Sequence, residues 1–173
     1  KRIYASGFSM GGIKTWDMFQ EYPQVFAALA PMSATVDVGH NVYFHESPVA
    51  PNRSVSVPLF YAGGEITPLP ELPFQADKCL GRMRYVMEVN QTATSNAAQF
   101  DDREHWANPI WGIDGDRVEK IDDPSRGSVL TIHYFTSADG VERTAFASIS
   151  GQGHECREHT CEHAWRFMSR FSR

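Results

Sequence analysis

The 173-residue sequence has no long apolar run and little excess of charge of either sign. Because no stretch of about eighteen apolar residues occurs, the sequence predicts no membrane-spanning helix. The net charge of −5 is modest and the basic residues are not concentrated in one segment, so nothing indicates nucleic acid or an anionic membrane as a partner. With 42% hydrophobic residues, a chain of this length most simply forms one globular domain.

Cysteine is also scarce, with three residues in the whole chain. An odd number excludes a disulfide framework in which every cysteine is paired. Cys156 and Cys161 are close enough in sequence to bridge, which would leave Cys79 as a free thiol. No secretory signal peptide is visible, while two Asn-X-Ser/Thr triplets, at Asn52 and Asn90, are compatible with secretion. The sequence leaves a secreted and a cytoplasmic location both open.

The most informative segment that is present is GFSMGG. Before it, residues 1–6 contain a short apolar run and are predicted to form a strand. After it, residues 13–22 carry apolar side chains three positions apart on one face of a predicted helix. The chain must therefore turn from strand to helix within a few residues. A glycine two positions before the serine and another two positions after it suit such a turn, because side chains there are expected to clash with the neighbouring strand and helix.

The pentapeptide Gly7-Phe8-Ser9-Met10-Gly11 matches the G-x-S-x-G nucleophile elbow. In this turn the serine oxygen lies above the edge of the sheet. The amide of the next residue, here Met10, points at a developing oxyanion at the positive end of the new helix. A five-residue pattern also occurs by chance in ordinary turns. The change from strand to helix at this point favours the elbow over a chance turn.

The rest of the chain alternates between predicted strands and helices. Further strands are predicted over residues 25–32, 55–62, 117–121, 129–136 and 143–149, and further helices over residues 74–89 and 162–171. Strands that alternate with helices indicate a parallel α/β sheet. Asp139-Gly140 is a strong hairpin signal, so the sheet is expected to contain an antiparallel excursion before its last strand.

One of the seven histidines, His154, lies in a distinctive place. The segment SISGQGHEC puts it in a glycine-rich loop between an apolar strand and the last helix. This placement predicts that it shares a sheet edge with Ser9. A serine needs a base to remove its proton, and in the fold that uses this elbow the histidine follows the serine and the acid. His133, His159 and His163 are interpreted as surface or packing residues.

Three segments together resemble the α/β-hydrolase serine esterases: GFSMGG after a strand, VPLFYAGGE before a proline-rich turn, and SGQGHEC followed by AWRFMSRF. The nearest groups are the polyhydroxybutyrate depolymerases and the feruloyl or acetylxylan esterases, and the resemblance extends over nearly the whole chain. It implies an α/β-hydrolase fold and hydrolysis of carboxylic esters through an acyl-enzyme, without a cofactor. By this resemblance Ser9 is the nucleophile, the Met10 amide an oxyanion donor and His154 the base.

In that family several strands and helices precede the nucleophile strand, which comes first here. The resemblance therefore implies that residues 1–173 are the C-terminal part of a single α/β-hydrolase domain that lacks its N-terminal strands. The N-terminal half is then expected as a partner, in cis or as a separate chain, and as the source of a second oxyanion donor. The expected substrate is a small-molecule or polymeric ester.

The acid of the triad departs from the family pattern. An aspartate is usual in a G-x-x-D segment shortly after the strand that here ends near Ala62, but Thr67 occupies that position. Glu65 is the favoured acid, because a glutamate can orient and stabilise the imidazole as an aspartate does. Glu71 and Asp37 are the alternatives, and at least two of the three carboxylates must be ordinary loop residues.

Two further features allow more than one interpretation. The segment HECREHTCEH is dense in histidine and cysteine and could suit zinc, but its spacings match no familiar zinc pattern. A metal on His154 would also remove that residue from catalysis. The aromatic residues Phe44, Trp106 and Trp111 lie in irregular segments, where they either cover an edge of the core or line a substrate pocket.

Two other functions fit the same motifs. A serine peptidase of the same fold is the first, because the triad does not distinguish amides from esters. A non-catalytic binding domain with a decayed site is the second. If Ser9 failed to react with an acyl-enzyme probe, the binding domain would be favoured.

Overall fold

The computed structural model describes residues 1–34, 38–39, 48–66, 76–92 and 115–173. Within these ranges the chain forms six strands and three helices, in the order β1 (Tyr4–Phe8), α1 (Met10–Glu21), β2 (Ala28–Met32), β3 (Leu59–Gly64), α2 (Ala76–Val89), β4 (Arg117–Asp123), β5 (Ser128–Thr136), β6 (Glu142–Ile149) and α3 (Glu158–Met168). None of the three helices in this described part of the chain is long and apolar enough to cross a membrane.

The strands form one mixed sheet in the order β1-β2-β3-β6-β5-β4. The neighbours β1, β2, β3 and β6 pair in parallel, whereas β5 pairs antiparallel with both β6 and β4. The predicted α/β class and the antiparallel excursion before the last strand are therefore confirmed. Gly140, which has a φ of 82°, provides the positive φ in the turn between β5 and β6.

The predicted bounds agree with the structure to within two residues for β4, β5, β6 and α2. They are wrong for the strand predicted over residues 55–62, which runs Leu59–Gly64 instead. The side chain of Asn90 explains the difference. Its Oδ1 accepts a hydrogen bond from the Val57 amide and its Nδ2 donates to the Val57 carbonyl, both at 2.9 Å. The backbone of Val57 is thus bound to a side chain, where a strand neighbour would otherwise be needed.

Other bounds also differ from the prediction. β2 begins at Ala28, because the Val25 amide donates to the Tyr22 carbonyl at 3.0 Å in a turn that follows α1. The last helix begins at Glu158, four residues before the predicted start at residue 162. The elbow itself is tighter than predicted, since β1 continues to Phe8 and α1 begins at Met10.

The core consists of two apolar layers, one on each face of the sheet. On one face Trp16 and Phe19 of α1 pack with Val86 of α2, and on the other Phe60 of β3 packs with Phe167 of α3. With helices on both faces, β2 and β3 are buried along their whole length. The carboxyl ends of the four parallel strands lie at one edge of the sheet. In open α/β sheets ligands bind at this edge, so the residues that follow these strands are the candidates for a site.

Candidate active site

Ser9 lies in the tight turn between β1 and α1. Its backbone has a φ of 55° and a ψ of −118°, a combination that residues other than glycine rarely adopt. The turn is held by the Ser9 amide, which donates to the Met32 carbonyl at 3.1 Å, and by the Ile13 amide, which donates to the Ser9 carbonyl at 2.9 Å. A serine at the start of a helix often caps it with its hydroxyl, but Ser9 makes no such bond.

The glycines of the elbow differ in what they do. A Cβ on Gly7 would lie 2.2 Å from the carbonyl carbon of Gly11, and a Cβ on Gly12 would lie 2.5 Å from the carbonyl oxygen of Met32. Both positions therefore require glycine. A Cβ on Gly11 meets nothing within 4 Å. The prediction that both glycines of the motif avoid clashes is right for Gly7 and wrong for Gly11. Gly12 is needed instead, because α1 packs against the end of β2 there.

His154 lies in the loop between β6 and α3, and the end of β3 positions this loop. The Glu65 amide donates to the last carbonyl of β6 at 3.0 Å, and the Ile66 amide donates to the Gln152 carbonyl at 2.9 Å. Gly64 permits this approach, since a Cβ at that position would lie 2.2 Å from the Gln152 oxygen. Sequence analysis did not single out Gly64, although the Gly63-Gly64 pair at a strand end was the signal for it.

The structure brings His154 and Ser9 into hydrogen-bond contact. The distance between His154 Nε2 and Ser9 Oγ is 2.9 Å, and both residues are half-buried. The ring of Phe8 lies against the imidazole, with centroids 4.6 Å apart and planes inclined by 32°. When Nε2 of the neutral imidazole accepts a hydrogen bond from the Ser9 hydroxyl, the ring proton is on Nδ1, which is the tautomer that a base for serine requires.

Arg157 anchors the other end of the His154 loop. Its guanidinium donates from Nη1 to the Ser128 hydroxyl of β5 at 2.9 Å and from Nη2 to the Glu155 carboxylate at 2.6 Å. The hydrogen bond from Arg157 lowers the pKa of Glu155, so this ion pair persists into mildly acidic solution. Gln152, which is buried, donates from Nε2 to the Glu155 carbonyl at 3.0 Å. Sequence analysis missed Arg157 because a charged residue beside a helix is ordinarily solvated.

Met10 is the first residue of α1, so its backbone amide lies at the positive end of the helix and next to Ser9. The N-terminal end of a helix favours negative charge. If Ser9 attacked a carbonyl carbon, the carbonyl oxygen would become negatively charged beside this end of α1. The Met10 side chain is exposed to 67% and takes no part in the core.

Glu65 directly follows β3, and its carboxylate accepts a hydrogen bond from the Ser148 hydroxyl of β6 at 2.9 Å. Within the described residues this bond, and not one from the imidazole, is the contact that the structure gives to the Glu65 carboxylate. The other residues predicted for the acid and for a substrate pocket lie outside the described residues; they are Asp37, Glu71, Phe44, Trp106 and Trp111. The choice among the three acids and the role of the aromatic residues stay predictions.

The other histidines of interest have contacts of their own. His133 Nδ1 accepts a hydrogen bond from the Gly115 amide at 3.1 Å, and the rings of His159 and His163 on α3 form an edge-to-face contact with centroids 4.9 Å apart. Desolvation lowers the pKa of His163, which favours the neutral ring. Within the described ranges, no group of three or more His, Cys, Asp or Glu side chains is arranged to hold a metal ion.

The chain was compared with protein-family models and with curated proteins. No protein-family model matches the chain, and no curated protein matches its sequence. The interpretation of the site therefore depends on the sequence pattern and on the contacts described above.

Proposed function

We propose that this chain is a serine carboxylic-ester hydrolase with an α/β-hydrolase fold. The observation that carries the proposal is the 2.9 Å contact between Ser9 Oγ and His154 Nε2 at the carboxyl edge of parallel strands. The strained backbone of Ser9 is a second support, since such strain is concentrated at functional sites. The strand–turn–helix context of the serine, and its place before the histidine in the chain, match the order used by α/β-hydrolases.

In the proposed reaction His154 takes the proton of Ser9 while the serine oxygen attacks the carbonyl carbon of the ester. The carbonyl oxygen becomes an oxyanion, which the Met10 amide and the positive end of α1 stabilise. The imidazolium gives its proton to the leaving alkoxide, which departs as the alcohol and leaves an acyl-enzyme. His154 then deprotonates a water molecule, which releases the carboxylic acid and restores the Ser9 hydroxyl.

Glu65 is the acid in this proposal, with Glu71 and Asp37 as the alternatives. Its position supports the choice, because it follows the strand end that positions the loop of His154 and its own amide is bonded to the end of β6. A carboxylate at this edge of the sheet stabilises the imidazolium that forms in both halves of the reaction. The scheme uses no cofactor.

A fluorophosphonate probe tests the proposal, because it reacts with a serine whose neighbouring base is engaged. We expect the wild-type chain to be labelled at Ser9, as located by peptide mass spectrometry, and the Ser9→Ala and His154→Ala variants to remain unlabelled. His159→Ala is the matched control, since the His159 ring contacts His163 on the surface of α3. It should be labelled as the wild type is. A folded wild-type chain that resists the probe would overturn the proposal and favour a binding domain.

Turnover of simple substrates gives a second measurement. With p-nitrophenyl acetate as the ester, Ser9→Ala and His154→Ala should each reduce kcat by about 10⁶-fold, or to the uncatalysed background, because nucleophile and base act as a unit. A matched anilide distinguishes the two hydrolases. If the wild-type chain cleaves the anilide in preference to the ester, the esterase proposal gives way to a peptidase of the same mechanism.

A further inference from the structure

Two cysteines lie in contact at the start of α3, immediately after the segment that carries His154. Cys156 precedes the helix and Cys161 lies on it, and their Sγ atoms are 3.5 Å apart. Both residues are exposed. A disulfide requires the two sulfur atoms to approach to about 2.05 Å, so the two side chains must move closer together for the bond to form.

The backbone on both sides of the pair is held in place. The Cys161 amide donates to the Arg157 carbonyl at 3.2 Å, which is the first hydrogen bond of the helix. The residues on either side of Cys156 are Glu155 and Arg157, which bond to each other, and Arg157 also donates to the Ser128 hydroxyl of β5. The hydrogen-bonded backbone at the start of α3 therefore holds the two cysteines close together.

We propose that Cys156 and Cys161 are a redox modification site, at which a low-molecular-weight disulfide of the glutathione type oxidises the two thiols to an intramolecular disulfide. The site is separate from Ser9 and His154 and does not depend on the proposed hydrolase activity. Cys79 takes no part in it.

The surroundings of Cys161 disfavour its thiolate. Desolvation and the hydrogen bond with Cys156 raise the pKa of Cys161 to about 11, so Cys161 is protonated at neutral pH. Since a thiolate is the attacking species in exchange, the proposed sequence begins with attack by Cys156. Its sulfur bonds to one sulfur of glutathione disulfide, the S–S bond of the oxidant breaks, and one glutathione thiolate leaves.

The second step closes the protein disulfide. Cys161 loses its proton and attacks the sulfur of Cys156, and the second glutathione thiolate leaves. The two glutathione thiolates take up the two protons that the cysteines release. In total two electrons pass from the cysteines to the oxidant, and one glutathione disulfide becomes two glutathione thiols.

The test is equilibration of the chain in glutathione buffers, followed by acid quenching, alkylation and mass spectrometry. The buffer contains reduced glutathione at about 1 mM and glutathione disulfide at about a tenth of that concentration. Under these conditions about a tenth of an ordinary single thiol is glutathionylated, because exchange between similar thiols has an equilibrium constant near one. A pair in contact has a high effective concentration, so most of the wild-type chain should carry a Cys156–Cys161 disulfide. Its mass should fall by about 2 Da, and dithiothreitol should restore both thiols.

Three variants make the result specific. Cys156→Ser and Cys161→Ser should lose the disulfide and show only the low level of glutathione adduct, whereas the Cys79→Ser control should oxidise as the wild type does. The oxidised wild type should also unfold a few degrees higher than the reduced form, because the new bond restrains the entry of α3. The proposal is wrong if both thiols of the folded chain remain alkylatable under this oxidation, or if Cys79 is found in the disulfide.

Discussion

At the scale of single residues, Ser9 and His154 lie 145 positions apart in the chain and meet at one sheet edge. Each was predicted from its immediate neighbours, because a strand-to-helix turn and the loop after a strand are local structures. The acid could not be selected in this way. Carboxylates are common in loops, and which of them faces the imidazole depends on how distant segments pack.

The acid is tested by replacing each candidate with its neutral amide. We expect Glu65→Gln to reduce kcat for p-nitrophenyl acetate by about 10⁴-fold, because an amide beside the imidazole favours the wrong tautomer. Glu71→Gln and Asp37→Asn should have little effect. Near-normal turnover in Glu65→Gln beside a collapse in one of the other two variants would move the role of the acid to that residue and leave the esterase proposal in place.

Ser148→Ala is the control that separates a catalytic from a structural role of Glu65. Its hydroxyl donates the hydrogen bond to the Glu65 carboxylate. If Glu65 serves only this bond, Ser148→Ala should lower the free energy of unfolding by about 1 kcal/mol, Glu65→Gln should lower it less because the amide oxygen still accepts the bond, and neither variant should change kcat much. A large kcat effect confined to Glu65→Gln indicates the acid.

At the scale of elements, the junction of β1 and α1 is tightly constrained, since a Cβ on Gly7 or Gly12 would clash with the backbone. The strand, the turn and the helix each follow from local sequence, but the packing of α1 on β2 does not. Gly11 and Gly12 are adjacent and chemically identical, and the tertiary neighbours of Gly12, of which the Met32 carbonyl is the nearest, distinguish them. For the same reason the start of β3 could not be predicted, because it depends on the side chain of Asn90 from another element.

The two glycines provide a matched pair for a stability measurement. Gly12→Ala should lower the free energy of unfolding by about 1–3 kcal/mol or more, because its Cβ would meet the Met32 carbonyl 2.5 Å away. Gly11→Ala should be neutral or stabilising by up to about 1 kcal/mol, since alanine is the better helix former and open space surrounds that position. Urea unfolding of both variants checks the difference. Equal stabilities would show that α1 does not pack on β2 as described.

At the scale of the whole molecule, the two edges of the described sheet differ in character. β4 carries charged residues along its length (RVEKIDD), whereas β1 carries none (YASGF). Charges protect an edge strand from pairing with other chains, so β1 is the unprotected edge.

An ion-pair network joins the opposite end of the sheet to the C-terminal segment. Arg117 donates to both oxygens of the Glu142 carboxylate at 2.9 and 3.0 Å, and Arg170 lies 3.5 Å from it. The hydrogen bond from Arg117 lowers the pKa of Glu142 below its ordinary value of 4.5. The stabilisation is therefore fully present above pH 4.5 and is lost as the pH falls through the lower pKa of the folded state.

Glu142→Gln tests this linkage. At pH 7 the variant should unfold with a free energy about 0.5–1 kcal/mol lower than that of the wild type, a small value because Arg117 is partly exposed and solvent screens the pair. The difference should shrink as the pH falls through the lowered pKa, when the wild-type carboxylate also becomes neutral. Glu162→Gln, an exposed position on α3, is the control and should differ little from the wild type at either pH. If the difference in unfolding free energy persists at acid pH, the substitution of Glu142 acts by disturbing packing and not by removing a charge.

The sequence by itself determined the α/β class, the strand-to-helix turn at Ser9, the β5–β6 hairpin and the approximate extent of most elements. These follow from apolar periodicity and from glycine and turn residues, which act on near neighbours in the chain. The tertiary structure alone decided the contact of Ser9 with His154, the need for glycine at position 12, the anchoring of the His154 loop by Arg157 and the contact between Cys156 and Cys161. The physical reason is that the strand order β1-β2-β3-β6-β5-β4 and the packing of helices on it set distances between residues that are remote in sequence, and no local pattern encodes these distances.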